Sequence, residues 1–415
     1  MPGVRVGMGD MVGSAGRNQI GAALGGCSSV AIWDEGYLAY DLGGAHPMHP
    51  VRWELTIALA DSLGVLDQLP MVRPAAASDA QLCQIHDPAY VAAVRAASGQ
   101  PDYQGFGLGT PDNPVFAAMH ASAALIAGGS IRAAELIADG AVTHAVNIAG
   151  GLHHAMRGCA SGFCVYNDAA LAISTLLGRG IERVAYLDVD VHHGDGVQAA
   201  FYDDPRVLTI SVHESPYTLF PGTGYPEEVG AGAAAGTAVN VALPAGTDDD
   251  GWLRAFHAVV PGVLRAFRPD VLVMQCGCDT HREDPLANLL LSVDCQRASY
   301  LAGHELAHEL CGGRLLALGG GGYGLVRVVP RAWTHLMAVV AGSPVDPTRE
   351  IPAAWRADAG RRGLRDVPAT SMTDGAELTV RPWQPGGSDA VDRAIAASRA
   401  AVFPLHGLDP DDPRD

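Results

Sequence analysis

Short, continuously apolar segments rich in β-branched residues alternate along most of this chain with longer segments of helical periodicity. The strand-like segments are SSVAIWD, THAVNIAG, RVAYLDVDV, RVLTISVH, TAVNVAL, DVLVMQCG and RLLALGGGG. Their uninterrupted apolar character is typical of strands that are covered on both faces, as in parallel sheets. Helix-like segments lie between them, at residues 46–63, 114–138, 167–177, 250–267 and 294–311. The alternation predicts an α/β fold with a central, mainly parallel sheet flanked by helices.

One catalytic domain with a segment at either end is the simplest division of the 415 residues. Residues 1–27 are rich in glycine and other small residues, which predicts a flexible leader. The strand–helix alternation occupies residues 28–342, the predicted catalytic domain. Residues 343–415 are rich in Pro, Asp and Arg and finish in GLDPDDPRD, which predicts a C-terminal extension with an acidic, disordered end.

The composition argues against some classes of binding partner. A formal net charge of −18 argues against nucleic acid and against an anionic membrane surface, because both attract clustered Lys and Arg. It is compatible with a cationic substrate, although many soluble proteins are simply acidic. We find no convincing signal peptide and no apolar run as long as a membrane span. The eight cysteines are scattered, without the spacing of a disulfide framework, so we expect a reducing cytoplasm. The sequence does not indicate an oligomeric state.

Four polar clusters each follow directly after a predicted buried strand. They are Gly150–His154, Asp188–Asp195, Cys278–Thr280 and Gly321–Tyr323. In open α/β sheets, ligands bind beyond the carboxyl ends of the strands. We therefore expect these four clusters, which are distant in sequence, to meet at one site.

The second cluster carries a pattern that predicts a metal ion. Asp188, Asp190 and His192 are spaced i, i+2, i+4, so a strand would point all three to one face. Buried carboxylates are costly without a cation, and oxygen and nitrogen ligands suit Zn(II) or Fe(II). Catalytic zinc usually takes three protein ligands, and Asp279 is the obvious third donor. The alternative is helix capping, which would account for Asp195 but not for carboxylates inside an apolar strand.

The other polar residues acquire chemical roles if a metal is present. His153 and His154 would supply a general base and a general acid, each oriented by a carboxylate such as Asp188 or Asp195. Without a metal, adjacent histidines after a Gly-Gly turn are more often surface or packing residues. Tyr323 follows four glycines and could donate a hydrogen bond to a developing oxyanion, the alternative being a tyrosine packed at the sheet edge.

The motifs GGLHHA, ASGFCVYNDA, LDVDVHHGDGVQ, LFPGTG, GCDT and LGGGGYG, in this order, resemble those of the zinc-dependent histone deacetylase superfamily. The resemblance runs from about residue 33 to residue 342, and HPMHPVRWELT is similar to the bacterial acetoin-utilisation type. It implies the single-domain arginase/deacetylase fold. It also implies an amidohydrolase that removes acetyl groups from Nε-acetyl-lysine of proteins by means of water activated by zinc, or by Fe(II) in its place.

The resemblance assigns roles to residues by position. The zinc ligands would be Asp190, His192 and Asp279. The catalytic residues would be His153, His154, Asp188, Asp195 and Tyr323. Phe163 and Phe220 would wall the channel for the acyl-lysine stem, Asp112 would hold the substrate backbone, and Arg52 would lie below the metal. A structural potassium ion would use Asp188, Ser211 and the carbonyls of Asp190, His192 and Val212.

Two positions bear on the substrate and on alternatives. Leu286 occupies the place of an acidic residue in polyamine-specific relatives, which favours lysine over polyamine. Cys278 replaces the usual alanine and forms a C-x-C with Cys276, where buried inert thiols are expected rather than a thiolate metal site. The alternatives are an acetylpolyamine amidohydrolase and a non-catalytic acyl-lysine-binding protein.

Overall fold

Eight parallel strands form the central sheet of the protein, whose computed structural model describes residues 29–44, 46–362 and 366–415. The strands are β1 (Ser29–Ile32), β2 (Met71–Val72), β3 (His144–Asn147), β4 (Val184–Asp188), β5 (Val207–Glu214), β6 (Ala238–Leu243), β7 (Val271–Gln275) and β8 (Leu315–Leu318). Their order across the sheet is β2-β1-β3-β8-β7-β4-β5-β6. The prediction of an α/β fold with a parallel sheet is confirmed, and the predicted leader lies outside the described residues.

Helices cover both faces of this sheet. They are α1 (Val51–Ser62), α2 (Asp79–Leu82), α3 (Pro88–Ala97), α4 (Met119–Ala138), α5 (Asp168–Gly178), α6 (Asp195–Phe201), α7 (Asp249–Phe267), α8 (Val293–Cys311), α9 (Val329–Val340), α10 (Ala353–Arg361) and α11 (Ala390–Val402). Short 3-10 helices lie at Glu35–Ala39, Gly232–Ala234 and Phe403–His406. Side-chain caps start several of the helices: Asn167, Asp248 and Ser292 each accept a hydrogen bond from a backbone N–H in the first turn.

All five predicted helices are present, with boundaries that shift by a few residues. Helix α9 was missed although Arg331, Thr334 and His335 stand at the spacing of one helical face; all of its residues are buried in the structure. Strand β2 was missed because it has two residues only.

Helix α4 is long and apolar enough by composition to cross a membrane, and it is the helix in the described part of the chain with that property. However, 72% of its most apolar window is buried inside the fold. It packs against α5 and β3, as a core helix does.

The C-terminal extension folds back onto the rest of the chain. In the extension, Trp355 donates to the Leu55 carbonyl at 3.1 Å, and Ser398 donates to the Asn240 carbonyl at 2.7 Å. The acidic end was expected to be disordered, but the buried Arg399 guanidinium donates to carbonyls within 409–415. A buried cation needs such acceptors, which gives the end a defined conformation. The division into leader, catalytic domain and extension stays a prediction.

Candidate active site

The four polar clusters follow four strands that are neighbours in the sheet. In the order β3-β8-β7-β4, these strands end at Asn147, Leu318, Gln275 and Asp188. Parallel strands place their carboxyl ends along one edge, so the loops that follow them converge there. An inner cavity at this edge is lined by residues of the first, second and fourth clusters, together with Met48, Gly162, Cys164 and Gly320.

Asp190 and His192 line this cavity, and the buried Asp279 lies against them. His192 Nδ1 lies 3.2 Å from Asp190 Oδ1 and 3.2 Å from Asp279 Oδ2, and one donor atom from each residue lies within 4.8 Å of the others. Burial and the charge of Asp190 raise the pKa of Asp279 to about 6. Two buried carboxylates that repel each other in this way would be stabilised by a cation. The donor set therefore fits a metal ion such as Zn(II).

The surrounding groups hold the two carboxylates in place. Gln275 Nε2 donates to Asp190 Oδ2 at 2.8 Å, and the Gly321 N–H donates to the same oxygen at 2.7 Å. The Val191 N–H donates to Asp279 Oδ1 at 2.9 Å. Asp190 Oδ1 and Asp279 Oδ2 are the oxygens that lie nearest His192. At Gly321 a Cβ would lie 1.9 Å from Asp279 Oδ2, so this position requires glycine for close approach.

Two histidine–aspartate pairs lie beside the metal-ligand set. His153 Nδ1 donates to Asp188 Oδ2 and His154 Nδ1 donates to Asp195 Oδ1, both at 2.7 Å. The Nε2 atoms of the two rings lie 3.0 Å apart. Because each Nδ1 is held by a carboxylate, each Nε2 is the nitrogen available for proton transfer. These are the pairs expected from the sequence.

The two imidazoles differ in their electrostatic surroundings. Burial opposes charge on His153, but the carboxylates of Asp188 and Asp190 outweigh it and raise the pKa to about 9. Burial and the neighbouring charge of His153 lower the pKa of His154 to about 4. One ring of the pair therefore favours the charged form and the other the neutral form, which suits an acid and a base working together.

Tyr323 stands at the side of the cavity on the glycine loop that follows β8. Its backbone N–H donates to Asp284 Oδ2 at 2.8 Å, and its ring packs edge-on against Phe163 with centroids 5.7 Å apart. Burial and then the charge of Asp279 raise the pKa of the phenol well above its ordinary value. The hydroxyl therefore stays protonated and can donate a hydrogen bond.

Arg52 supports the same loop from beneath. The side chain is 1% exposed, and its Nη1 donates to the carbonyls of Gly320 and Gly322 at 3.0 and 3.1 Å. The guanidinium lies over the rings of Trp53 and Trp333. That Arg52 lies below the metal stays a prediction.

Phe163 and Phe220 each contact a residue that lines the cavity, and the family resemblance predicts them at its entrance. The Phe220 ring contacts His154 with centroids 5.0 Å apart and is 44% exposed. Phe163 has φ of 69°, a conformation that non-glycine residues rarely adopt, and its carbonyl accepts a 2.7 Å hydrogen bond from the Tyr40 hydroxyl. That hydrogen bond helps to hold the Phe163 backbone at the entrance.

The remaining expected residues lie farther from the metal ligands. Asp112 is exposed and close to His46, whose ring contacts Phe163. Leu286 is half-buried, and its N–H donates to Asp284. In the proposed potassium set, Asp188 pairs with Ser211 in the register of β4 and β5, and Val212 follows directly.

Four residues of the site were not foreseen from the sequence: Gln275, Asp284, Tyr186 and Asn167. Tyr186 donates to Asp188 Oδ2 at 2.6 Å, and Asn167 donates to the carbonyls of His153 and Ala155. Gln275 was detectable as a polar residue in an otherwise apolar strand, and Tyr186 as the residue two positions before Asp188 on the same strand face. Asp284 lies in a loop and gave no comparable signal.

Comparisons with known proteins agree with this geometry. The family model of the histone deacetylase domain matches residues 46–340 of this chain. The acetoin utilization protein AcuC of Bacillus subtilis is 42% identical over 331 residues, which are 79% of this chain and 85% of that protein. The protein of the same name from Staphylococcus xylosus is 36% identical and covers 77% of this chain and 83% of its own length. The crystal structure of the HDA15 HD domain superposes with a TM-score of 0.70 at 29% identity, covering 80% of this chain and 92% of that one. The chain therefore belongs to the histone deacetylase superfamily, as a deacetylase of the bacterial acetoin-utilisation type.

Proposed function

We propose that this deacetylase removes acetyl groups from Nε-acetyl-lysine side chains of proteins in the cytoplasm, with zinc at Asp190, His192 and Asp279. The observation that carries the proposal is the pair of aromatic rings beside the polar groups. Phe163 packs against Tyr323 and Phe220 against His154, so we expect a substrate to pass these rings on its way to the polar groups. A linear methylene stem that ends in an amide has the shape for such a passage.

The metal-ligand set supports zinc by its chemistry. Two carboxylates and one imidazole leave a coordination position open, as in catalytic zinc sites, and Fe(II) accepts similar donors. When bound, the ion would polarise the acetyl carbonyl and lower the pKa of the attacking water.

The two histidines would handle the protons. One Nε2 takes a proton from the attacking water, and the other Nε2, 3.0 Å away, delivers a proton to the departing lysine amine. Asp188 and Asp195 hold each Nδ1–H and stabilise the imidazolium forms. Tyr323 donates its hydroxyl proton in a hydrogen bond to the oxygen that gains negative charge.

Leu286 supports lysine over polyamine. An acidic residue at that place would attract the distant ammonium of an acetylated polyamine, and leucine gives no such attraction. Asp112, exposed near the entrance, is suited to accept hydrogen bonds from a peptide backbone. For potassium, we propose the end of β4 and the adjacent middle of β5, where Asp188 and Ser211 are register partners.

The test is kcat/KM of zinc-loaded protein on an acetyl-lysine peptide and on an acetylated polyamine. A preference for the peptide supports the proposal, and a preference for the polyamine leaves the site intact but overturns the substrate. Tyr323→Phe should lower kcat on the preferred substrate by about 10²–10³-fold with little change in KM, because it removes an oxyanion donor. An unchanged kcat would refute that role. Peptide binding without turnover would instead identify a non-catalytic acyl-lysine binder.

A further inference from the structure

A second cluster of potential metal ligands lies outside the active site. It consists of His144, the first residue of β3, and of His304 and His308 on α8. His304 and His308 are four residues apart, so they lie on the same face of the helix. The ring centroids are 4.9 Å apart for His144 and His304, 5.0 Å for His144 and His308, and 4.6 Å for His304 and His308.

The cluster is at the opposite end of the sheet from the catalytic residues. His144 begins β3, whereas His153 and His154 follow the end of that strand. In a parallel sheet the amino ends of the strands form the edge opposite to the substrate-binding one. The histidine cluster therefore has no part in the chemistry proposed above.

The nitrogen positions suit a coordinated ion. His144 Nε2 and His308 Nε2 lie 3.1 Å apart, and one nitrogen from each of the three rings lies within 4.8 Å of the others. Tetrahedral coordination with metal–nitrogen bonds of about 2.0–2.1 Å places two ligand nitrogens about 3.3 Å apart. Small side-chain rotations would bring the three rings to that spacing.

Two further observations favour the binding of a metal ion by these histidines. The Thr143 hydroxyl lies 3.0 Å from His144 Nδ1, and a hydrogen bond to the other ring nitrogen is how ligating histidines are usually oriented. The buried Nε2 of His304 makes no hydrogen bond within the described part of the chain, and coordination would satisfy such an atom.

We propose that His144, His304 and His308 bind a second divalent transition-metal ion of the class that prefers imidazole, such as Zn(II). Three protein ligands leave a position for water, and His308 is exposed, so the ion can enter from solvent. The ion joins the start of β3 to the C-terminal half of α8, two elements of the same fold. Its effect is to stabilise the folded chain, because it binds a geometry that the unfolded chain lacks.

The experiment measures bound zinc in the full chain. Protein stripped by a chelator is dialysed against excess Zn(II), freed of unbound ion and assayed for metal by mass spectrometry. We expect two equivalents in the wild type and one in the double variant His304→Ala/His308→Ala. The control His257→Ala removes a histidine on α7, outside both sites, and should keep two. The same zinc content in the double variant as in the wild type would overturn the proposal.

A second variant separates this site from the catalytic one. Asp279→Asn removes a ligand of the catalytic set, so its remaining equivalent of zinc should depend on the histidine cluster. Added Zn(II) should raise the Tm of Asp279→Asn by several degrees and should not raise the Tm of Asp279→Asn combined with His308→Gln. His308 is exposed, so its replacement spares the core. Equal shifts in both proteins would contradict the proposal whatever the deacetylase assays show.

Discussion

His86 makes the stability of this protein sensitive to mild acid. The side chain is 1% exposed and uses both ring nitrogens: Nδ1 donates to the Met156 carbonyl and Nε2 accepts from the Asn167 N–H, each at 3.0 Å. Protonation of Nε2 would place two donors against each other and would bury a charge. Burial accordingly lowers the pKa of His86 from 6.5 to about 4.

The sign and size of the effect follow from the two pKa values. Between pH 4 and pH 6.5 the unfolded chain binds a proton at this residue and the folded chain does not. Stability is therefore complete above pH 6.5 and is lost as the pH falls toward 4. The loss at this one residue amounts to roughly 3 kcal/mol in total, with a slope of about 1.4 kcal/mol per pH unit.

The assay is urea unfolding at a series of pH values for the wild type and for His86→Gln. The variant loses packing and is less stable at pH 7.5. Below pH 6, however, its free energy of unfolding should fall less steeply with decreasing pH than that of the wild type, and the two slopes should differ by about 1 kcal/mol per pH unit. His335 provides a second instance, because burial also lowers its pKa to about 4. Parallel curves for the wild type and His86→Gln would refute the reasoning.

Three further changes test the active site. Gly321→Ala would push the Asp279 carboxylate aside, so we expect at least a tenfold loss of zinc affinity by competition with a chelator. Arg52→Met removes two hydrogen bonds to the glycine loop and should cost about 2–3 kcal/mol in urea unfolding while lowering kcat. Asp188→Asn keeps the shape of the site but weakens the hold on His153 Nδ1; kcat should fall by about 10²-fold or more, and wild-type turnover would refute its role.

The site was predictable where its residues stand close together in sequence. The spacing of Asp188, Asp190 and His192 and the Gly-Gly-x-His-His motif are local patterns, and the rule for strand ends brings them together. Asp284 was not predictable, because it reaches Tyr323 through a backbone hydrogen bond that depends on how two loops fold.

The histidine cluster shows the same limit more clearly. His144 is separated from His304 by 160 positions, and a single histidine at the start of a strand carries no signal of its own. The omission of helix α9 has no such cause, since Arg331, Thr334 and His335 carry a helical period in its sequence. Contacts between distant segments are thus the physical cause of what the sequence did not reveal at these two sites.

The four glycines before Tyr323 restrict which substitutions this enzyme can accept as its sequence evolves. A Cβ at Gly319, Gly320, Gly321 or Gly322 would approach a neighbouring atom to between 1.9 and 2.5 Å. No amino acid other than glycine fits any of the four positions without displacing a neighbour, so a library of substitutions should retain almost no active member there. New substrate preferences must then arise at the entrance, where Phe220 and Asp112 are exposed and side chains of different size can be accommodated. The glycine stretch thus constrains the residues that carry out the reaction, whereas the residues that select the substrate can change.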